Sequence, residues 1–183
     1  MKGQFSASKI VVAAAGNVDH EVFVKLAEAA FCDLPEEGIV TNEPTHYRGG
    51  EYREARELEQ VHVVMGLEGI AYKDPDYYPM SVLSTLLGGG MSSRLFQEIR
   101  EKRGLVYSVY SYLNPMARGA LVMGGLGSQN ARVAKAIDIV RSEWRRISEH
   151  GVTPEELKSA KTYINGSFPL RLDSSSRIAR MLV

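Results

Sequence analysis

Residues 86–110 read LLGGGMSSRLFQEIREKRGLVYSVY, three consecutive glycines that open a short charged helix feeding directly into a tyrosine-rich strand. Gly88, Gly89 and Gly90 allow positive φ and close approach of the backbone to other groups. Ser92 and Ser93 are good N-cap residues, and from Arg94 to Lys102 almost every position holds a strong helix former. A hinge, a capped helix with basic side chains and a strand bearing ring hydroxyls together suit a grip on an extended polar ligand. An ordinary loop–helix–strand corner is the plainer alternative, and spacing alone leaves both open.

Working outward, the next strand signals are Val106 to Leu113 and Ala120 to Gly125, joined by Asn114 to Gly119, a stretch of hairpin-loop length. Upstream, Glu59 to Leu67 alternates, with Val61, Val63 and Met65 on one face, and Asp74-Pro75 marks the start of a helix reaching about Leu87. Downstream, Val133, Ile137, Val140, Trp144 and Ile147 form one helical stripe that Gly151 should stop. Thr153-Pro154-Glu155-Glu156 is a capping box for a second long helix, with Leu157, Ala160, Ile164 and Phe168 inward. Hairpin strands with helices grouped between them predict an α+β fold, a mainly antiparallel sheet with helices packed on one face.

The N-terminal part is separate in character. Lys9 to Ala15 (KIVVAAA) reads as a strand, and a helix follows from Asp19 with Phe23, Leu26, Ala27, Ala30 and Phe31 at helical spacing. Residues 36–57 are polar and rich in charge, Gly and Pro, as expected of a linker. The predicted organisation is therefore 1–35 as a strand–helix pair, 36–57 as linker and 58–183 as the main domain. Ser174 to Val183 reads as a helix whose apolar end, Met181-Leu182-Val183, leads us to expect a piece of a longer chain.

Composition narrows the function classes. Lys plus Arg and Asp plus Glu number 22 each, so no net field draws the chain to nucleic acid or anionic membrane. The 44% apolar content suits a globular protein, and no apolar run nears the roughly 20 residues needed to span a bilayer. MKGQFSASK lacks the apolar segment of a signal peptide, so a soluble, cytoplasmic protein is expected. Cys32, the only cysteine, closes the first apolar helix and reads as a small buried hydrophobe.

The histidines His20, His46, His62 and His150 make no metal pair. A helical zinc site needs two histidines one turn apart and a nearby Glu. Val24 stands where the second His of HExxH would be, and in Arg146-Ile147-Ser148-Glu149-His150 an Arg replaces the first His of HxxEH. Gly125-Leu126-Gly127-Ser128-Gln129-Asn130 is a weak likeness to a dinucleotide fingerprint, since the third Gly is Asn130 and the context is a hairpin. Arg100 and Tyr107 are the polar pair to single out: a guanidinium suits carbonyls or carboxylates, and a Tyr hydroxyl can stabilise negative charge developing on oxygen.

Three blocks, VVAAAGNVDHEVFVKLAEAAFCDLP, HVVMGLEGIAYKDPDYYPMSVLSTLLGGGMSSRLFQEIREKRGLVYSVYSYL and GVTPEELKSAKTYINGSFPLRLDSSSRIARML, follow one another in an order that resembles the pitrilysin/insulinase family of zinc metallopeptidases, particularly its processing-peptidase-like members. The resemblance covers nearly the whole chain. It implies the end of a first half through about Pro35 and most of a second, non-zinc half. It implies that Arg100 and Tyr107 project into a cleft, hold the substrate backbone and support the oxyanion, and that Gly88, Gly89 and Gly90 form a glycine-rich loop accommodating substrate. HxxEH is absent, so the resemblance places no catalytic residue and no metal here; zinc belongs to the half that would pair with this one, in the same chain or another subunit. The implied partners are that half and a peptide substrate, without nucleic acid or membrane insertion, and a homodimer is left open. The alternative is an activity-free homologue in an assembly role, like the core subunits of ubiquinol–cytochrome c reductase.

Overall fold

A computed structural model of the chain describes residues 5–36, 45–116 and 119–183. The segments MKGQ, residues 37–44 of the expected linker and residues 117–118 of the expected hairpin loop lie outside the described residues. In chain order the regular elements are α1 (His20–Phe31), β1 (Val61–Glu68), α2 (Tyr77–Gly88), a π-helical turn (Phe96–Glu101), β2 (Val106–Pro115), β3 (Ala120–Ser128), α3 (Val133–His150), α4 (Pro154–Ser167) and α5 (Ser175–Met181). Short 3-10 turns cover Ala7–Lys9 and Pro169–Leu172. Residues 5–36 with 166–183 make one compact unit, and the described residues of 45–165 make the other.

In the smaller unit, Asp19 caps α1 by accepting from the Val22 N–H at 3.0 Å, as a short acidic N-cap should. The expected strand over Lys9 to Ala15 does not form: a 3-10 turn takes Ala7–Lys9, and no ladder includes residues 10–15. A strand needs a neighbour to satisfy its outward N–H and C=O groups, and none pairs with it among the described residues. The stripe on α1 is correspondingly bare, with Leu26 65% exposed and Phe31 also exposed. Cys32 is exposed rather than buried, for the same reason. Phe168 falls outside α4 and is exposed: its backbone is still helical, but it caps the 3-10 turn Pro169–Leu172, and Pro169 has no N–H to continue the α-helical ladder.

The larger unit is built on a three-stranded antiparallel sheet in the order β1-β3-β2. Its register runs Val64↔Gly125 on one side of β3 and Tyr110↔Gly125 on the other. Alternation holds on β1, where Val61, Val63 and Met65 are half-buried between exposed His62 and Val64. The core gathers Leu87, Leu95, Ile99, Val106, Val109, Leu126, Ala136 and Val140, with Val133, Trp144 and Ile147 of the predicted α3 stripe packed against it. Gly151 stops α3 at φ +70, where only glycine is unstrained. The capping box of α4 is realised in both directions: the Thr153 N–H donates to Glu156 at 2.9 Å, and the Glu156 N–H donates to Thr153 Oγ1 at 3.2 Å.

Candidate functional site: an arginine between two rings

The site grows from two departures from regular backbone. The helix expected over Arg94 to Lys102 widens into a π-helical turn over Phe96–Glu101, with the Lys102 N–H donating to the Gln97 carbonyl at 3.0 Å, five residues back. Gly104, at φ +56, then turns the chain into β2. There the register slips: Val106 faces Ser128 while Ser108 faces Gly127, so Tyr107 is the extra residue of a β-bulge. A bulge re-aims the side chain it carries. Tyr107 is 72% exposed although its neighbour Val106 is buried.

These two irregular segments bring the predicted pair together. The guanidinium carbon of Arg100 lies 5.4 Å from the Tyr107 ring centroid and 4.8 Å from that of Phe96. Both distances are within the range of cation–π attraction. The Arg100 guanidinium has no hydrogen bond or ion pair among the described residues, whereas the neighbouring Arg103 is tied to Glu98. A cation set over rings rather than against a carboxylate keeps its N–H donors available for carbonyl or carboxylate oxygens. Phe96 carried no signal in the sequence beyond helical spacing, and its contact with Arg100 emerges only from the structure.

Of the two freedoms expected of the glycine triplet, positive φ and close approach, the structure uses the second. None of Gly88, Gly89 and Gly90 has positive φ. What requires glycine is close approach: a Cβ on Gly88 would fall 2.4 Å from the Ser111 backbone nitrogen, so the end of α2 seats directly on β2. A Cβ on Gly90 would meet the Tyr163 ring at 3.2 Å. Ser111 is also reached by Ser84 of α2, their hydroxyl oxygens 3.3 Å apart. The contact of Gly88 at Ser111 is four residues along β2 from Tyr107, about 13 Å of strand. Arg100 and Tyr107 thus meet, while Gly88 packs further along the same strand and Gly90 faces α4.

Six residues before Arg100, Arg94 anchors a buried ionic cluster that the sequence did not single out. Arg94 is 7% exposed and donates from Nε and Nη2 to the two oxygens of Glu156, each at 2.7 Å. Buried Glu143 stands 3.9 Å from Arg94 Nε and accepts from Arg146 at 3.3 Å. The hydrogen bond to Glu156 raises the Arg94 pKa, and the hydrogen bond from Arg94 holds the Glu156 carboxyl below the usual carboxylate range. The cluster fastens the turn before Arg100 to α3 and α4.

The remaining sequence candidates do not assemble. The four histidines, His20, His46, His62 and His150, are all exposed, and among the described residues no group of three His, Cys, Asp or Glu could hold a metal ion. Among the described residues, no set of side chains fits zinc. The fingerprint-like Gly125 to Ser128 lies inside β3, where a Cβ on Gly125 would meet the Tyr110 ring at 2.5 Å. That glycine clears a path for a ring rather than for a phosphate. No helix among the described residues is long and apolar enough to cross a membrane.

A profile of the peptidase M16 inactive domain matches residues 2–164. The chain belongs to the peptidase M16 inactive-domain family. An uncharacterized zinc protease of Streptomyces coelicolor is 40% identical over 183 residues, a match covering 95% of this chain and 40% of that relative. The crystal structure of an M16 inactive domain from Pseudomonas fluorescens is 27% identical with a TM-score of 0.75, covering 91% of this chain and 40% of that one. A chain of complex III2 from Candida albicans shares the fold, at 20% identity and a TM-score of 0.71 over 91% of this chain and 42% of its own. The chain therefore spans about two fifths of the length of these relatives. Its antiparallel sheet with helices agrees with the α+β class read from the sequence.

Proposed function

We propose that this M16 inactive domain is the substrate-positioning, non-zinc half of a zinc metallopeptidase. In that role Arg100 and Tyr107 face a peptide held against a zinc-bearing half in the same chain or in a partner subunit. The supporting observation is the Arg100 guanidinium itself, set over the Phe96 and Tyr107 rings with no carboxylate partner among the described residues. Buried Arg94 needs its counter-ion Glu156, whereas half-buried Arg100 rests on ring faces with its donors open. The Arg100 N–H fork would bind carbonyl oxygens of an extended peptide, and the exposed Tyr107 hydroxyl would donate to an oxygen gaining negative charge. Gly88, Gly89 and Gly90 contribute to this reading by close packing that fixes the start of the Arg94–Arg100 segment. Residues 1–35 would belong to the end of the preceding half, 36–57 to the linker and 58–183 to this domain.

Zinc and the water-activating Glu would come from the other half. The test is Arg100→Ala in the full-length protein assembled with its zinc-bearing half, assayed on a quenched peptide. A loss of about a hundredfold in kcat/KM is expected, comparable to removing one oxyanion donor. Unchanged kinetics, or no hydrolysis by the intact wild-type protein, would favour an assembly role instead, the kind of role for which the complex III2 likeness offers the fold alone.

A further inference from the structure

We infer that Phe96 is the positioning residue for Arg100. The two rings flanking the guanidinium differ in how firmly they are held. Tyr107 is 72% exposed on a bulge, whereas Phe96 is half-buried and packs against the core cluster that includes Leu95 and Ile99. Phe96 and Arg100 also share the π-helical turn, so the ring and the side chain it faces rise from one hydrogen-bonded segment. At 4.8 Å from the guanidinium carbon, the Phe96 ring is the nearer of the two. When the Tyr107 hydroxyl engages a ligand, the ring still fixed beneath Arg100 is Phe96. A ring face attracts the cation without consuming any of its N–H donors, which a carboxylate in the same place would do. Phe96 therefore orients Arg100 while leaving its hydrogen bonds for the substrate.

This inference rests on the role proposed for Arg100, and the experiment separates the two. Phe96→Leu, Phe96→Tyr, Arg100→Ala and the Phe96→Leu/Arg100→Ala double variant are compared in the full-length protein with its zinc-bearing half. Phe96→Leu is expected to lower kcat/KM about three- to fivefold, the scale of a cation–π contact, and Phe96→Tyr, which keeps a ring, to restore most of it. In the Arg100→Ala background Phe96→Leu is expected to add nothing, because the ring has no guanidinium left to orient. The Nε–Hε NMR signal of Arg100, displaced by the ring current in the wild type, is expected to move toward its free position in Phe96→Leu and to stay displaced in Phe96→Tyr. A loss from Phe96→Leu that multiplies that of Arg100→Ala, or an Arg100 signal that does not move, overturns the inference and leaves the role of Arg100 standing. An inert Arg100→Ala overturns the role of Arg100, and the NMR displacement still decides whether Phe96 holds it. Should Phe96→Leu not fold, Phe96→Met, unbranched and without a ring, takes its place in every arm.

Discussion

The Arg100 guanidinium carbon stands 5.4 Å from the centroid of the Tyr107 ring, although seven positions and a change of secondary structure separate the two residues. The contact depends on the ring, while the proposed chemistry depends on the hydroxyl. The two can be separated experimentally.

Tyr107→Phe keeps the ring over Arg100 and removes only the hydroxyl. In the intact protein kcat should fall by at least tenfold with little change in KM, the signature of an interaction made in the transition state. Tyr107→Ala should lower kcat further and raise KM. Steady-state kinetics on one peptide distinguish these outcomes, and a Tyr107→Phe variant with wild-type kcat would remove the hydroxyl from the mechanism.

Gly88→Ala tests the seat of α2 on β2. The added methyl would sit 2.4 Å from the Ser111 backbone nitrogen, and backbone cannot swing aside as a flexible side chain can. Overpacking of this kind costs about 1–3 kcal/mol, visible as a lower urea midpoint. If the triplet were instead a free hinge, the same change would be neutral or slightly stabilising.

Arg94→Met takes the bidentate cation from Glu156 and leaves buried Glu143 with Arg146 alone. Breaking a buried pair by removing one partner costs about 3–5 kcal/mol, and chemical denaturation would measure it. A loss below about 1 kcal/mol would show the cluster to be dispensable.

The same cluster sets an acid limb. Arg94 holds the Glu156 carboxyl below its usual value of 4.5, and hydrogen bonds from Lys102 and then Arg103 do the same for Glu98. For a depressed folded pKa the stabilisation is fully present above the ordinary carboxylate value and is lost as the pH falls through the folded value. Stability should therefore decline below about pH 4.5. Glu156→Gln should flatten that decline in urea titrations repeated down the pH scale, and an unaltered slope would exclude Glu156 as a contributor.

Metal analysis provides an independent check. With no cluster of ligating side chains among the described residues, the chain expressed alone should carry well under one zinc and gain no thermal stability from added zinc. Stoichiometric zinc with a raised melting temperature would require ligands outside those described.

What could be read from the residues is what local chemistry dictates. Asp19 as a cap, the Thr153–Glu156 box, Gly151 as a stop and the alternation of Val61, Val63 and Met65 all depend on neighbours a few positions away, and all formed. The pairing of Arg100 with Tyr107 depends on backbone hydrogen bonds that skip a residue in the helix and in the ladder, and no apolar period reports those. The burial of Arg94 also escaped notice, since its partners Glu143 and Glu156 lie about 50 and 60 positions downstream. Lys9 to Ala15 and Cys32 failed for the opposite reason: their residues suit burial, but the partner surface that burial needs is not among the described residues.

The π-helical turn makes the site unusually sensitive to chain length rather than chemistry. Drop one residue at Gln97 or Glu98 and the turn can relax to ordinary α pitch, which leaves Arg100 three rather than four positions beyond Phe96 and shifted around the helix axis relative to that ring. Every side chain that matters would still be present, and the arginine would point elsewhere. A homologue one residue shorter here can thus conserve the letters Phe, Arg and Tyr and yet have dismantled the contact they make.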